Sequence, residues 1–237
     1  LMEVPEYLGL IAYWPKLPIP IVVRLHGSVT YFKDELGEKR SRRYFQYEKK
    51  TLERASHIVG VSSYVLNQTK RIFFPSAPMS VIYNSVEVPH ETSYNDRRLG
   101  TDVLFTGTLV RKKGVYELFR AWKLVLQYCP KAMLHICGKD SLDEQGRSVQ
   151  SVLKEMLLPE EIKTVFFHGH LSWDKLTKFL NQSAVAVFPS FSEAFALAPL
   201  EAMARGCPTV YSKLASGPET MIHGESGLLV DPANPTE

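Results

Sequence analysis

Short apolar runs alternate with longer stretches of helix-forming composition along most of this chain, and the alternation limits the folds that it can adopt. Beyond residue 101, apolar runs of strand length lie near Val103, Met133, Val165, Val185 and Thr209. Stretches of helical composition are interleaved with them near Tyr116, Val149, Lys175 and Glu201. Such alternation predicts an α/β fold, a parallel sheet with helices on both faces. Right-handed crossovers bring the loops after the strands to one shared edge, where ligands bind.

The earlier part of the chain shows the same pattern less regularly. Strands are predicted over 19–25, 57–62 and 79–83, and a charged helical stretch over about 37–55. The polar segment that follows contains Pro, Asn, Asp and Gly residues, a composition typical of linkers. A chain of 237 residues with 45% hydrophobic content can bury two small cores. We therefore predict two Rossmann-like domains, over 1–88 and 102–237, joined by a linker over 89–101.

Two acids, Glu193 and Glu201, flank seven mostly small or apolar residues. A strand is predicted over 184–188 and a helix over 197–205, so Glu193 lies in the loop between them and Glu201 about one turn into the helix. The amides of Phe195 to Leu197 then lie at the helix start, where anions bind without a metal. Ionised carboxylates only accept hydrogen bonds, so they suit a ligand that carries hydroxyls beside its phosphate. A sugar nucleotide fits this description. The alternative, a pair of solvated surface acids, is less consistent with the small residues around the two acids and with the buried strand that precedes the loop.

This segment resembles the family 4 glycosyltransferases, retaining enzymes of the GT-B fold whose donor domain carries a Glu, seven residues, Glu motif. Other stretches resemble further parts of that family: V-L-F-T-G-T-L-V-R-K-K-G (Val103 to Gly114), V-I-Y-N-S-V-E (Val81 to Glu87), G-E-S-G-L-L-V-D-P (Gly224 to Pro232), V-V-R-L-H-G (Val22 to Gly27) and L-E-R-A-S-H-I-V-G-V-S (Leu52 to Ser62). The resemblance implies a partial acceptor-side domain over 1–88, a nucleotide-sugar donor domain over 102–237, and a chain that is incomplete at both ends.

The resemblance also implies roles for individual residues. Glu193, Lys113 and His26 are the expected catalytic residues: Glu193 holds the donor sugar's hydroxyls, Lys113 neutralises the diphosphate, and His26 lies near the donor sugar and the acceptor. The expected donor-binding residues are Glu201, which accepts from the ribose diol, and Phe195, Ala196, Leu197, Gly107, Thr108 and Arg111. The backbone of His168 and Gly169 is expected beside the base. Neither a metal nor a cofactor other than the nucleotide-diphosphate sugar donor is expected.

Two positions depart from the family's usual pattern. An Arg commonly follows the Gly at position 107 and joins the Lys at the diphosphate, but this chain has Thr108. Either Arg111 or Lys112 can supply that charge, or both face solvent. Ala196 stands where the family usually has Gly. The sequence alone therefore does not decide whether these two departures reduce the glycosyltransferase activity.

Several other classes of protein are excluded or disfavoured. A net charge of +3 is too small to indicate nucleic-acid binding, and no G-x-G-x-x-G or G-x-x-x-x-G-K-[ST] phosphate motif is present. The odd number of cysteines, 3, favours a reducing, cytoplasmic compartment over a disulfide framework. A basic amphipathic stretch within 38–54 leaves peripheral membrane contact open, although a solvated face is the commoner reading.

The function that we predict from the sequence is retaining sugar transfer from a nucleotide-diphosphate sugar to an acceptor hydroxyl, on a carbohydrate, a lipid-linked molecule or a small molecule. A sugar-nucleotide epimerase of the same fold is one alternative. A module that binds the nucleotide sugar without turnover is another. The donor base, the donor sugar and the acceptor cannot be read from these residues.

Overall fold

A computed structural model describes residues 1–89 and 100–236, so most of the predicted linker lies outside the described residues. The chain divides into two compact units. The first comprises Leu1–Ser85 together with the loop Ser192–Ala196, and the second comprises Val86–Phe191 and Leu197–Glu237. Each unit is an α/β structure built on a parallel sheet, which confirms the predicted fold class.

The first unit contains a parallel sheet with the strand order β1-β2-β3-β4. Its strands are β1 Met2–Pro5, β2 Ile21–Leu25, β3 His57–Gly60 and β4 Met79–Val81, and its helices are α1 Val29–Glu35, α2 Arg42–Glu53 and α3 Ser63–Phe73. The predicted helical stretch over 37–55 was wrong at its start, because Gly37 adopts a left-handed φ of 66° after α1 and α2 begins at Arg42.

Alternate residues of β2 form the centre of the first core. Ile21, Val23 and Leu25 are buried together with Ile58 of β3. Ala194, from the loop Ser192–Ala196, belongs to the same cluster of buried side chains. The loop is therefore part of the hydrophobic core of the first unit.

The second unit contains a parallel sheet with the strand order β10-β9-β8-β5-β6-β7. Its strands are β5 Asp102–Thr106, β6 Met133–Cys137, β7 Val165–Gly169, β8 Val185–Phe188, β9 Thr209–Ser212 and β10 Leu228–Val230. Its helices are α4 Val115–Tyr128, α5 Val149–Glu155, α6 Pro159–Ile162, α7 Trp173–Gln182, α8 Leu197–Ala204 and α9 Gly217–Thr220. The order of the strands reverses between β5 and β8, and ligands of open α/β sheets bind beyond the carboxyl ends of such a pair.

Backbone-to-backbone contacts hold the loops at the carboxyl edge of this second sheet. A Cβ atom on Gly114 would lie 1.8 Å from the carbonyl oxygen of Pro189, and one on Gly138 would lie 1.7 Å from that of Gly107. Because neither side chain exists, the loops after β5, β6 and β8 approach at main-chain distance. Their register is secured by hydrogen bonds from the Gly107 amide to the Cys137 carbonyl (3.0 Å) and from the Phe191 amide to the Lys112 carbonyl (2.8 Å).

We predict that Gly114→Ala destabilises the protein more than Gly146→Ala. Both glycines have a left-handed φ, 70° and 77°, but nothing lies within 4 Å of a Cβ on Gly146. Gly146→Ala, the control, should therefore lower the free energy of unfolding only by the backbone strain, about 1 kcal/mol. Gly114→Ala should cost about 1–3 kcal/mol more, because Pro189 must move. Denaturant unfolding of both variants measures the difference, and equal losses would contradict the close approach.

Candidate functional site

The loop after β8 and the helix α8 carry the two acids predicted from the sequence. β8 ends at Phe188 and α8 begins at Leu197, as the strand, loop and helix pattern predicts. Glu193 lies in the loop and is 8% exposed, whereas Glu201 is the fifth residue of α8 and is half-buried. The amides of Phe195, Ala196 and Leu197 lie at the start of α8. The groups predicted to bind an anion are therefore at a helix N-terminus.

Two side chains of the first unit hold the loop that contains Glu193. The hydroxyl of Tyr31 donates to the carbonyl oxygen of Glu193 at 2.9 Å, and the hydroxyl of Ser62 donates to that of Ala194 at 2.6 Å. The ring of Phe195 lies 5.4 Å from that of Tyr83. The sequence analysis missed these anchors, because a contact across more than a hundred residues leaves no local pattern.

The residues that follow β5 lie together at the carboxyl edge of the second sheet. Gly107 comes directly after the strand, and Thr108 beside it is exposed. Lys113 ends a single 3₁₀ turn, Arg111–Lys113, and its Cδ atom would lie 4.0 Å from a Cβ atom placed on Gly107. The structure thus brings together Gly107, Thr108 and Lys113, three of the predicted donor-site residues.

Arg111 lines a separate cavity of the second unit. This cavity has a volume of about 350 Å³ and is bordered by Tyr116 and Glu117 of α4 and by the loop 141–147. Arg111 is exposed. Its charge lowers the pKa of Tyr116, although burial, the larger effect, raises it. Contact of Arg111 with a diphosphate stays a prediction.

His26 follows the end of β2, and its position is set by a buried acid. Its backbone amide donates to Oε2 of Glu6 at 3.0 Å. Partial desolvation and then the charge of Arg24 lower the pKa of the His26 imidazole, with a small opposite effect of Glu3. The imidazole is therefore neutral near pH 7 and has one nitrogen that accepts hydrogen bonds.

Two buried acids, Glu6 and Glu48, lie under the turn that follows His26. Glu48 accepts from the amides of Val29 and Thr30, at 2.8 and 3.1 Å, and so caps the start of α1. Glu6 is 1% exposed, and its Oε1 has no hydrogen-bond partner among the described residues. Burial raises the pKa of Glu6 to about 7, and the charge of Glu48 adds to this against the effect of nearby amides. The sequence analysis missed both acids, because burial of a Glu is not visible in its neighbours.

Glu201 is set apart from ordinary surface acids by its surroundings. Burial raises the pKa of its carboxyl group, while the charge of Arg205, one turn later in the chain, lowers it to a smaller extent. The guanidinium of Arg205 lies 5.2 Å from the ring centre of Trp173. The carboxylate therefore loses its charge at a higher pH than a solvated Glu does.

Three further histidines, His57, His135 and His168, contact side chains of the neighbouring strand in their sheets. Nε2 of His57 lies 2.8 Å from the hydroxyl of Ser80, and Nδ1 of His135 lies 3.0 Å from Nε2 of His168. Across residues 1–89 and 100–236, no three His, Cys, Asp or Glu side chains form a group suited to a metal. In the same part of the chain, every helix is too short or too polar to cross a membrane.

The fold is the GT-B fold of glycosyltransferases. Residues 97–237 match the family described as Glycosyl transferases group 1, and residues 3–89 match Glycosyltransferase Family 4. The chain belongs to the group 1 glycosyl transferases of family 4.

Individual relatives agree with this membership. The chain is 29% identical over 224 residues to the uncharacterised glycosyltransferase MJ1178 of Methanocaldococcus jannaschii, covering 94% of this chain and 57% of that protein. It is 27% identical to glycogen synthase of Mycobacterium tuberculosis, covering 90% of this chain and 51% of that protein. The chain thus spans little more than half the length of these curated relatives.

Solved structures show the same fold. Sucrose-phosphate synthase from Thermosynechococcus elongatus aligns with a TM-score of 0.80 and 23% identity, over 98% of this chain and 61% of that one. Anabaena HepE, in complex with UDP and glucose, aligns with a TM-score of 0.74 and 21% identity, over 92% of this chain and 59% of that one.

We predict that Glu6→Gln stabilises the protein increasingly as the pH rises from about 5 to 8. With a pKa of about 7 in the folded state against 4.5 unfolded, Glu6 makes the folded state bind more protons, so stability falls as the pH rises through this window. Glutamine keeps an oxygen for the His26 amide and cannot ionise. The gain above pH 7 should be roughly 2–4 kcal/mol.

Urea unfolding of the wild type and of Glu6→Gln across this pH range measures the effect. Glu53→Gln, at an exposed position of α2, serves as the matched control and should leave the pH dependence unchanged. A stability difference between Glu6→Gln and the wild type that is the same at every pH would contradict the buried, protonated acid.

Proposed function

We propose that the protein containing this chain transfers a sugar from a nucleotide-diphosphate sugar to an acceptor hydroxyl, with retention of the anomeric configuration and without a metal ion. One observation carries the proposal. The second sheet reverses its strand order between β5 and β8, and the loops after these two strands carry Lys113 and Glu193. Membership of the group 1 glycosyl transferases supports the reaction class.

The difficult step of such a reaction is the departure of the diphosphate while positive charge develops on the sugar. In this proposal Lys113 and the amides at the start of α8 bind the diphosphate. Groups that are fixed before the reaction stabilise developing charge without having to reorganise, and this is usually the largest contribution to catalysis. Each charge-assisted hydrogen bond contributes about 1.5–3 kcal/mol.

The two acids of the motif bind hydroxyl groups in the proposal. Glu201 accepts from the ribose, and Glu193 accepts from the donor sugar. The neutral imidazole of His26 accepts a hydrogen bond near the reacting carbon. The backbone of His168 and Gly169 lies beside the base, and Phe195, Ala196, Leu197, Gly107 and Thr108 complete the donor site.

Retention follows in this proposal from a displacement on one face of the sugar. The bond between the anomeric carbon and the phosphate oxygen breaks, and a bond to the acceptor oxygen forms on the same face. The departing phosphate takes the proton of the acceptor hydroxyl. Family likeness, not a described contact, supports this route.

The known binding partners of similar proteins support a nucleotide-sugar donor. Anabaena HepE is described with UDP and glucose, and a pneumococcal O-GlcNAc transferase with UDP and GlcNAc. Thr108 in place of the usual arginine favours a second candidate, a module that binds the nucleotide sugar without turnover. A cytoplasmic location, and membrane contact through the basic helix α2, stay predictions.

A panel assay on the full-length protein tests the proposal. UDP-, GDP- and ADP-sugars are incubated with and without glucose, glycan and lipid-linked acceptors. Release of nucleoside diphosphate only when an acceptor is present supports transfer, and NMR of the product identifies the anomer. Binding without turnover supports the non-catalytic module, and a donor with an inverted sugar hydroxyl supports epimerisation.

We predict that Glu193→Ala and Lys113→Ala each lower turnover at least about tenfold, because each removes a side chain that is proposed to bind the donor. Lys139→Ala is the matched control: Lys139 is exposed in the loop after β6, and its change should leave turnover within about twofold. Steady-state kinetics measure all three. Wild-type rates in both test variants would exclude these side chains from the mechanism.

We predict that nucleoside diphosphate binding weakens as the pH falls through the raised pKa of Glu201, because the protonated carboxyl loses an acceptor for the ribose hydroxyls. The diphosphate also gains a proton in acid, so Glu201→Gln is the reference: it should bind more weakly near pH 8 and show a shallower pH dependence. Calorimetric titration with UDP, GDP and ADP over about pH 5 to 8 measures this. Parallel curves for both proteins would exclude the contact.

A further inference from the structure

Two buried hydroxyl groups of the first unit fix consecutive carbonyl groups of the loop that carries Glu193. Tyr31 donates to the carbonyl of Glu193 at 2.9 Å, and Ser62 to that of Ala194 at 2.6 Å. We infer that Tyr31 and Ser62 are positioning residues that set the direction of the Glu193 side chain toward the sugar of the donor. This inference rests on the proposed function for the role of Glu193, but not for the anchoring itself.

The loop needs these donors because it is buried. Ser192 is 0% exposed, Glu193 8%, Ala194 5% and Ala196 7%. Water does not reach most of this segment, and buried carbonyl groups in native proteins have partners almost without exception. A buried loop that lacked the two hydroxyls would have to adopt another backbone conformation.

Both donors are themselves held in place. Tyr31 is 0% exposed, and its ring packs edge-on against Phe32 at 5.1 Å. Its backbone amide is bound by the side chain of Ser28, the N-cap of α1, at 3.0 Å. The position of the Tyr31 hydroxyl is therefore set by helix α1 rather than by the loop.

Ser62 is the N-cap of α3, and this role orients its hydroxyl. Its oxygen accepts from the amide of Val65 at 3.0 Å, so its single proton is available for the carbonyl of Ala194. Ser62 is 0% exposed. One serine thus joins the start of a helix to the loop.

The anchors act on the backbone on the carboxyl side of Glu193. Fixing the carbonyls of residues 193 and 194 fixes the peptide planes that follow the Cα atom of Glu193, and with them the direction of its side chain. The methyl group of Ala194 packs into the first core and adds a third constraint. Loss of one anchor should therefore misplace a carboxylate that must meet the sugar's hydroxyls, and small displacements are costly in such contacts.

The predicted consequence is selective. Of the groups proposed for the diphosphate and ribose, Lys113, Glu201 and the Leu197 amide belong to the second unit, and the Phe195 amide lies one peptide beyond the carbonyl that Tyr31 binds. Tyr31→Phe should weaken binding of the nucleotide sugar about five- to tenfold, the value of one hydrogen bond. Binding of the matching nucleoside diphosphate should change by less than about twofold.

The chain supplies matched controls for both variants. Tyr64→Phe also removes a tyrosine hydroxyl from the first unit, one that donates to Oε2 of Glu35 at 2.6 Å. Ser148→Ala also removes an N-cap whose hydroxyl donates elsewhere, since Ser148 caps α5 and donates to Asp140 at 2.6 Å. Both controls should leave nucleotide-sugar binding unchanged, so loss of a half-buried tyrosine hydroxyl or of a helix cap by itself is accounted for.

Hydrogen exchange of the backbone amides tests the anchoring without any ligand. In the full-length protein, Tyr31→Phe and Ser62→Ala should speed exchange in peptides that cover 191–197, while peptides of β8 and of β5 keep the wild-type rate. Tyr64→Phe and Ser148→Ala should leave exchange in 191–197 unchanged. Wild-type exchange in both test variants would overturn the anchoring.

Measurements of ligand binding test the role of Glu193. The probes are UDP-glucose, GDP-mannose and ADP-glucose with UDP, GDP and ADP, and the pair that the wild type binds most tightly is used. In a double-mutant cycle, Tyr31→Phe should cost about five- to tenfold in the wild-type background and less than about twofold in Glu193→Ala. Equal costs in the two backgrounds, or equal losses for nucleotide sugar and diphosphate, would overturn the positioning role.

The two kinds of failure remain distinguishable. If the wild type transfers no sugar but exchange in 191–197 responds as stated, the proposed function fails and the anchoring stands. If the wild type transfers sugar but the double-mutant cycle shows no coupling, the proposed function stands and the positioning role fails.

Discussion

Contact between main chain and main chain at the carboxyl edge of the second sheet is the constraint on which the arrangement of the loops after β5, β6 and β8 depends. Where Gly114 meets Pro189 and Gly138 meets Gly107, any side chain would hold the loops apart. The close approach lets the turn that ends in Lys113 lie against the loop after β8. In the proposed function, the side chain of Lys113 and the amides at the start of α8 bind one diphosphate. The close approach would spare them a long, flexible reach, which keeps the entropy cost of binding small.

Much of this architecture is readable from the sequence, because buried parallel strands appear as short apolar runs and glycine marks the ends of helices. The strand, loop and helix around Glu193 are predicted for that reason. The start of α2 is not, because the charged stretch from about Gly37 onward also suits a helix that begins near the glycine. The anchors from Tyr31 and Ser62 are not either, since a tyrosine on a helix and a serine at a cap have ordinary local explanations.

Glu6 and Glu48 show how two identical side chains acquire different properties in one core. Glu48 accepts hydrogen bonds from two backbone amides, one through each of its oxygens. Glu6 receives one amide at hydrogen-bond distance through one oxygen, and burial of the rest favours its protonated form. The sequence does not distinguish the two glutamates, because the partners that do so come from elements far apart in the chain.

The cap that Glu48 forms on α1 also affects where phosphate groups settle on this protein. A strand that runs into a helix, as β2 runs into α1, offers the positive end of a dipole to any passing anion. Here a resident carboxylate already occupies that end, so a phosphate would meet a negative charge there instead of free amides. The amides of Val29 and Thr30 are thereby engaged within the protein and are not free to bind a phosphate.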